Sequence, residues 1–415
     1  MRDFLPADKA RRERVLSVIR DTFRAHGFDE IETPVMEDSD RLHAGLGGDN
    51  EKLAFAVMKR GLTSDDLASS SEPLDLADLG LRFDLTVPLA RFYASHRAEL
   101  PAVFRAIQIA PVWRAERPQK GRYRQFVQCD IDIIGESGPI AEVELITATA
   151  ATVAALGIGG ASIRLNDRRL LTSALTLLGF PANVHDAVLI TIDKLDKIGH
   201  DGVIAELRER AFPEEPVAAL EAFFCRPATS HRLPFGEDAI RARLPEGVDA
   251  GAVTALAAIG LAVNEVAGDI VQYDPWLVRG MGYYTGAIFE VVHPDFGYSL
   301  GGGGRYDGMI GRFLGTDVPA AGFSLGFERI VDLAQLPDTS DADALALVHD
   351  ADVPPARLAA LQAEFIAQGR RVRLERKPRN IAPLLAQLAA SGFTQFAYVG
   401  ASSVASELEF RAIEA

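Results

Sequence analysis

The sequence contains little cysteine and no excess of positive charge, and each shortage excludes a class of protein. Only two cysteines, Cys129 and Cys225, occur in 415 residues, and they form no CxxC pair. A disulfide scaffold and a thiolate zinc site are therefore excluded, and a reducing cytoplasm is expected. Lys and Arg number 43 against 58 Asp and Glu, which gives a net charge of −15. A nucleic acid would therefore have to bind through local basic patches.

Long apolar runs and several familiar motifs are also missing. The longest uncharged run, 145–162, contains three threonines and ends in glycines, so it predicts a buried helix and no membrane span, which needs ~20 mostly apolar residues. The first 25 residues carry many charges, and no signal peptide is expected. The phosphate-binding patterns GxxxxGK[ST] and GxGxxG are absent. HExxH and HxH pairs are absent as well, so zinc bound by protein ligands is not expected.

Hydrophobic periodicity predicts a large domain over residues 1–335. Residues 49–80 lack a clear period and are expected to form a surface excursion with little regular structure. Residues 81–135 alternate like an antiparallel sheet, and residues 170–265 are expected to form a mainly helical insertion. The clearest expected elements are helix 7–26, strand 29–36, strands 103–114 and 124–134, helix 138–156, a resumed sheet over 271–291 and a helix near 325–336.

A second, smaller domain is predicted after a polar linker at 336–343. Strands and helices alternate over residues 344–415, which is typical of a small α/β domain with a largely parallel sheet. Its last strand is expected at 406–411.

One face of the strand 124–134 is polar. Gln128, Asp130 and Asp132 share this face, while apolar residues share the other, because successive side chains of a strand point to opposite sides. The polar face is either the floor of a pocket or the solvent side of an ordinary half-exposed strand.

Residues 112–126 form the densest basic segment. They contain Arg114, Arg117, Lys120, Arg122 and Arg124 against Glu116 alone, around a predicted hairpin tip. Guanidinium groups match phosphate oxygens, so a phosphorylated ligand is one interpretation, and a solvated charged turn is the other.

Three further segments hold candidate residues. Arg279 lies in an apolar and aromatic stretch, where it must pair with a carboxylate such as Glu290 or with a ligand anion. GFSLG (322–326) matches the GxSxG nucleophile pattern weakly, with Ser324 as its serine. In LRFDLTVPLARF (81–92), Asp84 or Thr86 is either an N-cap or part of a site.

In this order, the segments resemble the class II histidyl-tRNA synthetases. IETPVME (31–37), with Pro34, is similar to the first class motif, and 112–126 with QCDIDIIG (128–135) to the second. LVRGMGYYTG (277–286) is similar to the histidine signature peptide and GFSLGFERI (322–330) to the third class motif. The resemblance implies an α+β catalytic core, with an antiparallel class II sheet flanked by helices. It also implies a C-terminal α/β domain like the anticodon-binding domain, which is shortened at its C-terminus.

The resemblance further implies a histidine–tRNA ligase that activates L-histidine with ATP and Mg²⁺ and charges histidine tRNA. It implies a cytoplasmic homodimer, with Pro34 at the dimer interface, and no membrane. Arg279 and Arg114 would be the catalytic residues. The implied roles are ATP binding by Arg114, Arg122 and Arg329, histidine binding by Asp84, Thr86, Gln128, Asp132, Arg279, Tyr283 and Tyr284, and tRNA binding by Arg117, Gln119, Arg124, Lys377 and Arg379.

The chain departs from the family pattern at two places in the site. Gly282 stands where an acidic residue usually precedes the two tyrosines, and Asp132 stands where many members have Glu. Two alternatives remain. A non-catalytic regulatory subunit of ATP phosphoribosyltransferase usually lacks the signature arginine and the C-terminal domain, and both are present here. A serine hydrolase would use Ser324.

Overall fold

The computed structural model describes residues 1–43, 53–117, 123–225, 235–279, 282–337 and 344–413. Its contacts divide the chain into two compact units. The first comprises Leu16–Ala334 with Met1, and the second comprises Arg2–Val15 and Gln335–Ala415. The assignment of the second unit as anticodon-binding-like stays a prediction.

The helices and strands of the described chain follow the predicted alternation closely. The helices before residue 335 are α1 (Pro6–Ala25), α2 (Ser39–His43), α3 (Ser64–Ser69), α4 (Thr86–His96), α5 (Ile140–Ala155), α6 (Arg168–Leu177), α7 (His185–Ile192), α8 (Leu195–Glu209), α9 (Glu214–Phe224), α10 (Glu237–Arg241), α11 (Ala250–Ala267), α12 (Asp307–Leu314) and α13 (Phe327–Leu333). The strands are β1 (Asp29–Glu30), β2 (Met36–Asp38), β3 (Phe55–Met58), β4 (Ala77–Leu81), β5 (Phe104–Trp113), β6 (Gln125–Ile134), β7 (Ser162–Asp167), β8 (Val271–Tyr273), β9 (Ala287–Val292), β10 (Gly301–Arg305) and β11 (Ala320–Gly326).

The first unit is built on a mixed sheet whose described strands lie in the order β1-β5-β6-β11-β10-β9-β7-β8. All pairs between β5 and β7 are antiparallel, and the two outer pairs are parallel. β5 and β6 pair over their full length, from Phe104 with Ile134 to Trp113 with Gln125. The strands predicted at 103–114 and 124–134 are confirmed, because period-two alternation is a local signal that long paired strands preserve.

The expectation of little regular structure over 49–80 is wrong for the described part. β3, α3 and β4 lie there, and β2-β4-β3 form a separate antiparallel sheet. α3 begins with a capping box in which Thr63 and Asp66 exchange hydrogen bonds. The strand predicted at 29–36 is also split into β1 and β2, because Pro34 has no N–H for a ladder.

The predicted insertion at 170–265 contains helices α6–α11. α11 is long and apolar enough, by length and composition, to cross a membrane. That is weak evidence, because a core helix passes the same test, and Leu256, Ile259 and Val263 of α11 are buried within the fold.

The second unit contains a four-stranded sheet in the order β13-β12-β14-β15. Its elements are β12 (Ala344–His349), α14 (Pro355–Ala367), β13 (Arg371–Arg376), α15 (Ala382–Ala390), β14 (Gln395–Val399) and β15 (Arg411–Ala412). β12 pairs in parallel with β13 and β14, as predicted. The strand predicted at 406–411 is wrong, because a 3₁₀ turn occupies Ala405–Glu407 and β15 has only two residues.

Candidate active site

A cavity of about 460 Å³ opens on one face of the main sheet. Residues from distant parts of the first unit line it. Those predicted from the sequence are Asp84, Thr86, Arg114, Gln128, Asp132, Arg279, Tyr283, Tyr284 and Arg329. The structure therefore brings together residues from four separate sequence segments.

The cavity floor is formed by β6 and the glycine-rich strands beside it. Gly322 pairs with Asp132, and a Cβ on Gly322 would lie 1.9 Å from Asp132 Oδ1. A Cβ on Gly302 would lie 2.4 Å from Arg279 Nη1. Only glycine allows these two side chains to lie flat over the neighbouring strands. The polar face of β6 is therefore a pocket floor, as one of the two interpretations predicted.

Asp132 is held by Tyr306, which lies between β10 and α12. Tyr306 donates its hydroxyl proton to Asp132 Oδ1 at 2.6 Å, and both residues are buried. Burial raises the pKa of Asp132 to about 7, although the Tyr306 hydrogen bond opposes that shift. Burial and the neighbouring carboxylate raise the pKa of Tyr306 well above its ordinary value, so its hydroxyl remains a donor.

Asp84 approaches the cavity from the beginning of α4. Its Oδ1 accepts a hydrogen bond from the Val87 N–H at 3.2 Å, but the N-cap residue of α4 is Leu85, so neither Asp84 nor Thr86 is the N-cap. Burial raises the pKa of Asp84 to about 6. Thr86 is the first residue of α4 and also lines the cavity.

Gln128 and Ser324 face each other across β6 and β11. The Gln128 amide donates to Ser324 Oγ at 2.8 Å. Ser324 therefore lies in a polar floor, and no histidine is found among the described residues that line the cavity. Without a histidine as general base beside it, Ser324 does not support the hydrolase alternative.

Each of the three cavity arginines has a defined support. Arg114 donates from Nε to the Phe83 carbonyl at 3.1 Å and lies over the Phe126 ring at 4.9 Å. Arg279 Nη1 pairs with Glu290 Oε1 at 3.0 Å, so the predicted carboxylate partner is present and the arginine still lines the cavity.

Arg329, in the first turn of α13, lies over Tyr298 at 4.5 Å and donates to the Ser299 carbonyl. The guanidinium groups are therefore positioned by fixed neighbours, as anion recognition requires.

Several predicted residues lie elsewhere. Arg117 is exposed, and Arg124 donates to the Glu116 carbonyl at 3.0 Å; neither is among the described residues that line the cavity. Gln119 and Arg122 lie outside the described residues. Lys377 and Arg379 are exposed residues of the second unit, and Lys377 lies 3.3 Å from Asp350.

Sequence reasoning gave no role to the cavity residues Tyr306 and Asp193. It placed Asp130 on the polar face of β6 and named Glu290 as a partner for Arg279, but it assigned neither residue to substrate binding. Asp193 comes from the helical insertion, and the adjacent Arg279 and Lys197 oppose the burial that raises its pKa. Nothing local in the sequence indicates that Tyr306 reaches Asp132. Gly282 is exposed, and a Cβ there would enter open space.

Comparisons of sequence identify relatives along nearly the whole chain. A family model described as Histidyl-tRNA synthetase matches residues 1–330. The chain is 58% identical over 418 residues to the Histidine–tRNA ligase of Leifsonia xyli subsp. xyli, covering 99% of this chain and 96% of the relative. It is 44% identical over 413 residues to the Probable histidine–tRNA ligase of Tropheryma whipplei, covering 96% and 94%.

Comparisons of structure agree on the fold. The histidyl-tRNA synthetase of Nostoc sp. PCC 7120 superposes with a TM-score of 0.77 at 24% identity, covering 99% of this chain and 93% of that one. A protein from Bacillus halodurans, described as an ATP phosphoribosyltransferase regulatory subunit/histidyl-tRNA synthetase, gives 0.76 at 19% identity, covering 97% of each chain. At these identities the structures show the fold alone, and they confirm the predicted α+β class. The family match and the identity to the sequence relatives confirm the resemblance found in the motifs: the chain belongs to the histidyl-tRNA synthetase family.

Proposed function

We propose that the protein is a histidine–tRNA ligase, which forms histidyl-adenylate from L-histidine and ATP and transfers the histidyl group to the 3′ end of histidine tRNA. One structural observation supports this proposal in addition to family membership. Arg114, Arg279 and Arg329 line the same cavity as the buried carboxylate Asp132. A cavity with three cationic groups and a carboxylate floor suits a triphosphate beside an imidazole. The regulatory-subunit alternative is not better supported, because the sequence relatives that cover nearly the whole chain are described as histidine–tRNA ligases.

In the first step, a carboxylate oxygen of histidine attacks the α-phosphorus of ATP. The bond from that phosphorus to the bridging oxygen breaks, and pyrophosphate leaves. Arg114 and Arg279 would stabilise the charge that grows on the α-phosphate, and Arg329 would hold the γ-phosphate. Such a reaction needs positioning and cationic stabilisation more than a nucleophilic side chain.

Selection of histidine would depend on hydrogen bonds to its imidazole. Asp132 and Tyr284 would bind the ring, with Tyr283 in the adjoining wall, while Asp84, Thr86 and Gln128 would bind the α-amino group. A site whose buried polar groups need a polar side chain rejects analogues that lack it, by ~10⁴ or more in the best cases. The buried Asp132–Tyr306 pair has this character.

In the second step, a hydroxyl of the 3′-terminal ribose attacks the histidyl carbonyl carbon and AMP leaves. Arg117, Gln119 and Arg124 would contact the acceptor end of the tRNA, and Arg122 the ATP. Lys377 and Arg379 would contact tRNA phosphates from the second unit. Their exposure supports this role, because cations that bind a polyanion must be accessible.

Mg²⁺ would enter with ATP, held mostly by phosphates and water. Glu116 and Glu328 line the cavity together with Arg114 and Arg329 and offer the oxygen ligands that Mg²⁺ prefers. When bound, the ion would neutralise triphosphate charge, while the arginines of the chain orient the α-phosphate.

We also propose a cytoplasmic homodimer. Val35 and Met36, next to Pro34, are large exposed apolar side chains, and so is Met58 on the same small sheet. Large exposed apolar side chains on and next to one small sheet favour a protein interface. Light scattering of the purified chain should give twice the monomer mass.

Histidine-dependent pyrophosphate exchange tests the function directly. With ATP, Mg²⁺ and labelled pyrophosphate, label should enter ATP only when L-histidine is present. Equal exchange without histidine, or exchange driven by another amino acid, would reject the assignment.

A further inference from the structure

Three buried oxygens in the cavity wall have no hydrogen-bond partner among the described residues. They are Asp84 Oδ2, Gln128 Oε1 and Asp130 Oδ1. The three residues are 2%, 8% and 4% exposed, and all three line the cavity. A buried acceptor without a donor destabilises the folded chain, and most buried polar groups have partners. Three such atoms in one wall indicate that a ligand supplies the donors.

The three acceptors are held in place from two sides. Gln128 and Asp130 are two residues apart on β6, so their side chains share one face. Ser324, paired opposite Asp130, hydrogen-bonds its carboxylate and accepts from the Gln128 amide. Asp84 arrives from α4, with its other oxygen engaged by the Val87 N–H. In each residue the polar atom that remains without a partner is an oxygen.

The same corner of the cavity holds the carboxyl groups of Asp84, Asp130 and Asp132 close to one another. Burial, and then the neighbouring Asp132 and Asp84, raise the pKa of Asp130 well above its ordinary range. Arg114 opposes that shift, but its guanidinium lies over Phe126 and its Nε is engaged by a carbonyl. A small cation with several N–H donors would satisfy the oxygens and the charge together.

We propose that Asp130 is a third acceptor for the α-ammonium group of histidine, beside Asp84 and Gln128. The inference rests on the proposed function and adds a residue to its substrate site. A primary ammonium carries three N–H donors and one positive charge, which matches three acceptors. Asp132 follows Asp130 by two residues, about 6.8 Å along the strand, so the imidazole lies beyond the ammonium in the direction of Asp132.

The test is a comparison of ligands on one variant, Asp130→Asn, which keeps the side-chain shape and removes the charge. Dissociation constants are measured in EDTA by calorimetry for histidine, for histidinol, which keeps the amine and the imidazole, and for 3-(imidazol-4-yl)propionate, which lacks the amine. D130N should raise the dissociation constants of histidine and histidinol about tenfold or more and leave that of the propionate within about twofold. D132N, on the same face of the same strand, is the matched control and should weaken the binding of all three ligands.

Equal loss for all three ligands in D130N would overturn the inference, because it would mark a structural role. Unchanged histidinol binding would overturn it too. Histidinol binding that disappears in EDTA for the parent protein would assign the acceptors to a metal ion instead. If D130N does not fold, Ser324→Ala, which removes the support of Asp130, must show the same ligand pattern with a smaller loss. Failure of the parent protein to bind any imidazole ligand would reject the proposed function itself.

Discussion

The cationic residues of the two units differ in their exposure to solvent and in what holds them. In the first unit, Arg114 and Arg279 line a cavity, and each is held by a fixed carbonyl or carboxylate. In the second unit, the cations of and after β13 are exposed or half-buried, and several of them lie over aromatic rings. Arg371 and Arg373 lie over Phe393, and Lys377 over Tyr398, at 4.6, 4.6 and 5.1 Å.

This difference separates two kinds of recognition. A buried cation with fixed partners acts at one position on one small ligand. Its removal should therefore have a large effect on the binding or reaction of that ligand alone. Exposed cations share a long-range attraction to a polyanion, so each should contribute little and lose effect in salt. The first kind suits ATP and histidine, and the second suits tRNA.

The largest effect is expected for Arg279→Ala. Loss of a cation that stabilises the transition state should lower kcat for pyrophosphate exchange by about 10²–10³-fold, with a much smaller change in the KM for histidine. Steady-state exchange kinetics measure both constants.

Arg164→Ala is the matched control, because Arg164 pairs opposite Glu290 in the sheet but is not among the described cavity residues. Its exchange rate should change by less than about threefold. A comparable loss in the control, or an Arg279→Ala loss confined to KM, would contradict the role.

Asp132→Asn should change stability with pH in the ligand-free protein. Burial raises the pKa of Asp132 to about 7, so between about pH 4 and 7 the folded state holds a proton that the unfolded state has lost. The free energy of unfolding of the parent should therefore fall as pH rises through this window, by up to about 4 kcal/mol for this group.

Urea unfolding at pH 5 and pH 8 measures the change. D132N should stabilise the protein at pH 8 more than at pH 5, while Asp78→Asn, at an exposed carboxyl on β4, should be neutral at both. An equal effect of D132N at both pH values would mean that burial does not raise the pKa of Asp132 in the folded protein.

A smaller effect is expected for Tyr306→Phe, which removes one hydrogen bond from Asp132 and keeps the ring. The KM for histidine should rise about three- to tenfold, since a hydrogen bond to a charged group contributes about 1.5–3 kcal/mol and water or rotation recovers part of it. The KM for ATP should stay unchanged. Equal increases in both would point to a general disturbance of the cavity.

The smallest effect is expected for the double variant Lys377→Ala/Arg379→Ala. The rate of charging of histidine tRNA should fall about three- to tenfold at low salt, and the difference from the parent protein should shrink as the salt concentration rises. Pyrophosphate exchange should persist. Asp350→Asn, which removes the carboxylate partner of Lys377, is the control and should not weaken charging. A loss of exchange in the double variant would indicate damage to the first unit.

Local patterns predicted much of the fold and part of the site. The strands β5 and β6 and the polar face of β6 follow from period-two alternation, which needs no knowledge of distant residues. The sheet β2-β4-β3 was missed because its strands are short and lie beside a serine-rich turn. β15, with two residues, is too short to show a period.

Contacts between distant residues could not be predicted from the same patterns. Tyr306 and Asp132 are 174 positions apart, and the pairing of β11 with β6 brings Ser324 opposite Asp130. The convergence of the three arginines followed from the ordered motifs, not from any local period. The sequence does not show that Asp130 Oδ1 is buried without a hydrogen-bond partner, because that follows only from the packing of its neighbours in the fold.

Binding of histidyl-sulfamoyl-adenosine, an unreactive analogue of histidyl-adenylate, tests most directly whether one cavity holds both substrates. Calorimetry should give an affinity at least about 100-fold tighter than that of histidine or ATP alone, because one molecule would contact Arg114, Arg279 and Asp132 together. An analogue that binds no tighter than histidine, or whose affinity is unaltered in both R279A and D132N, would contradict the account.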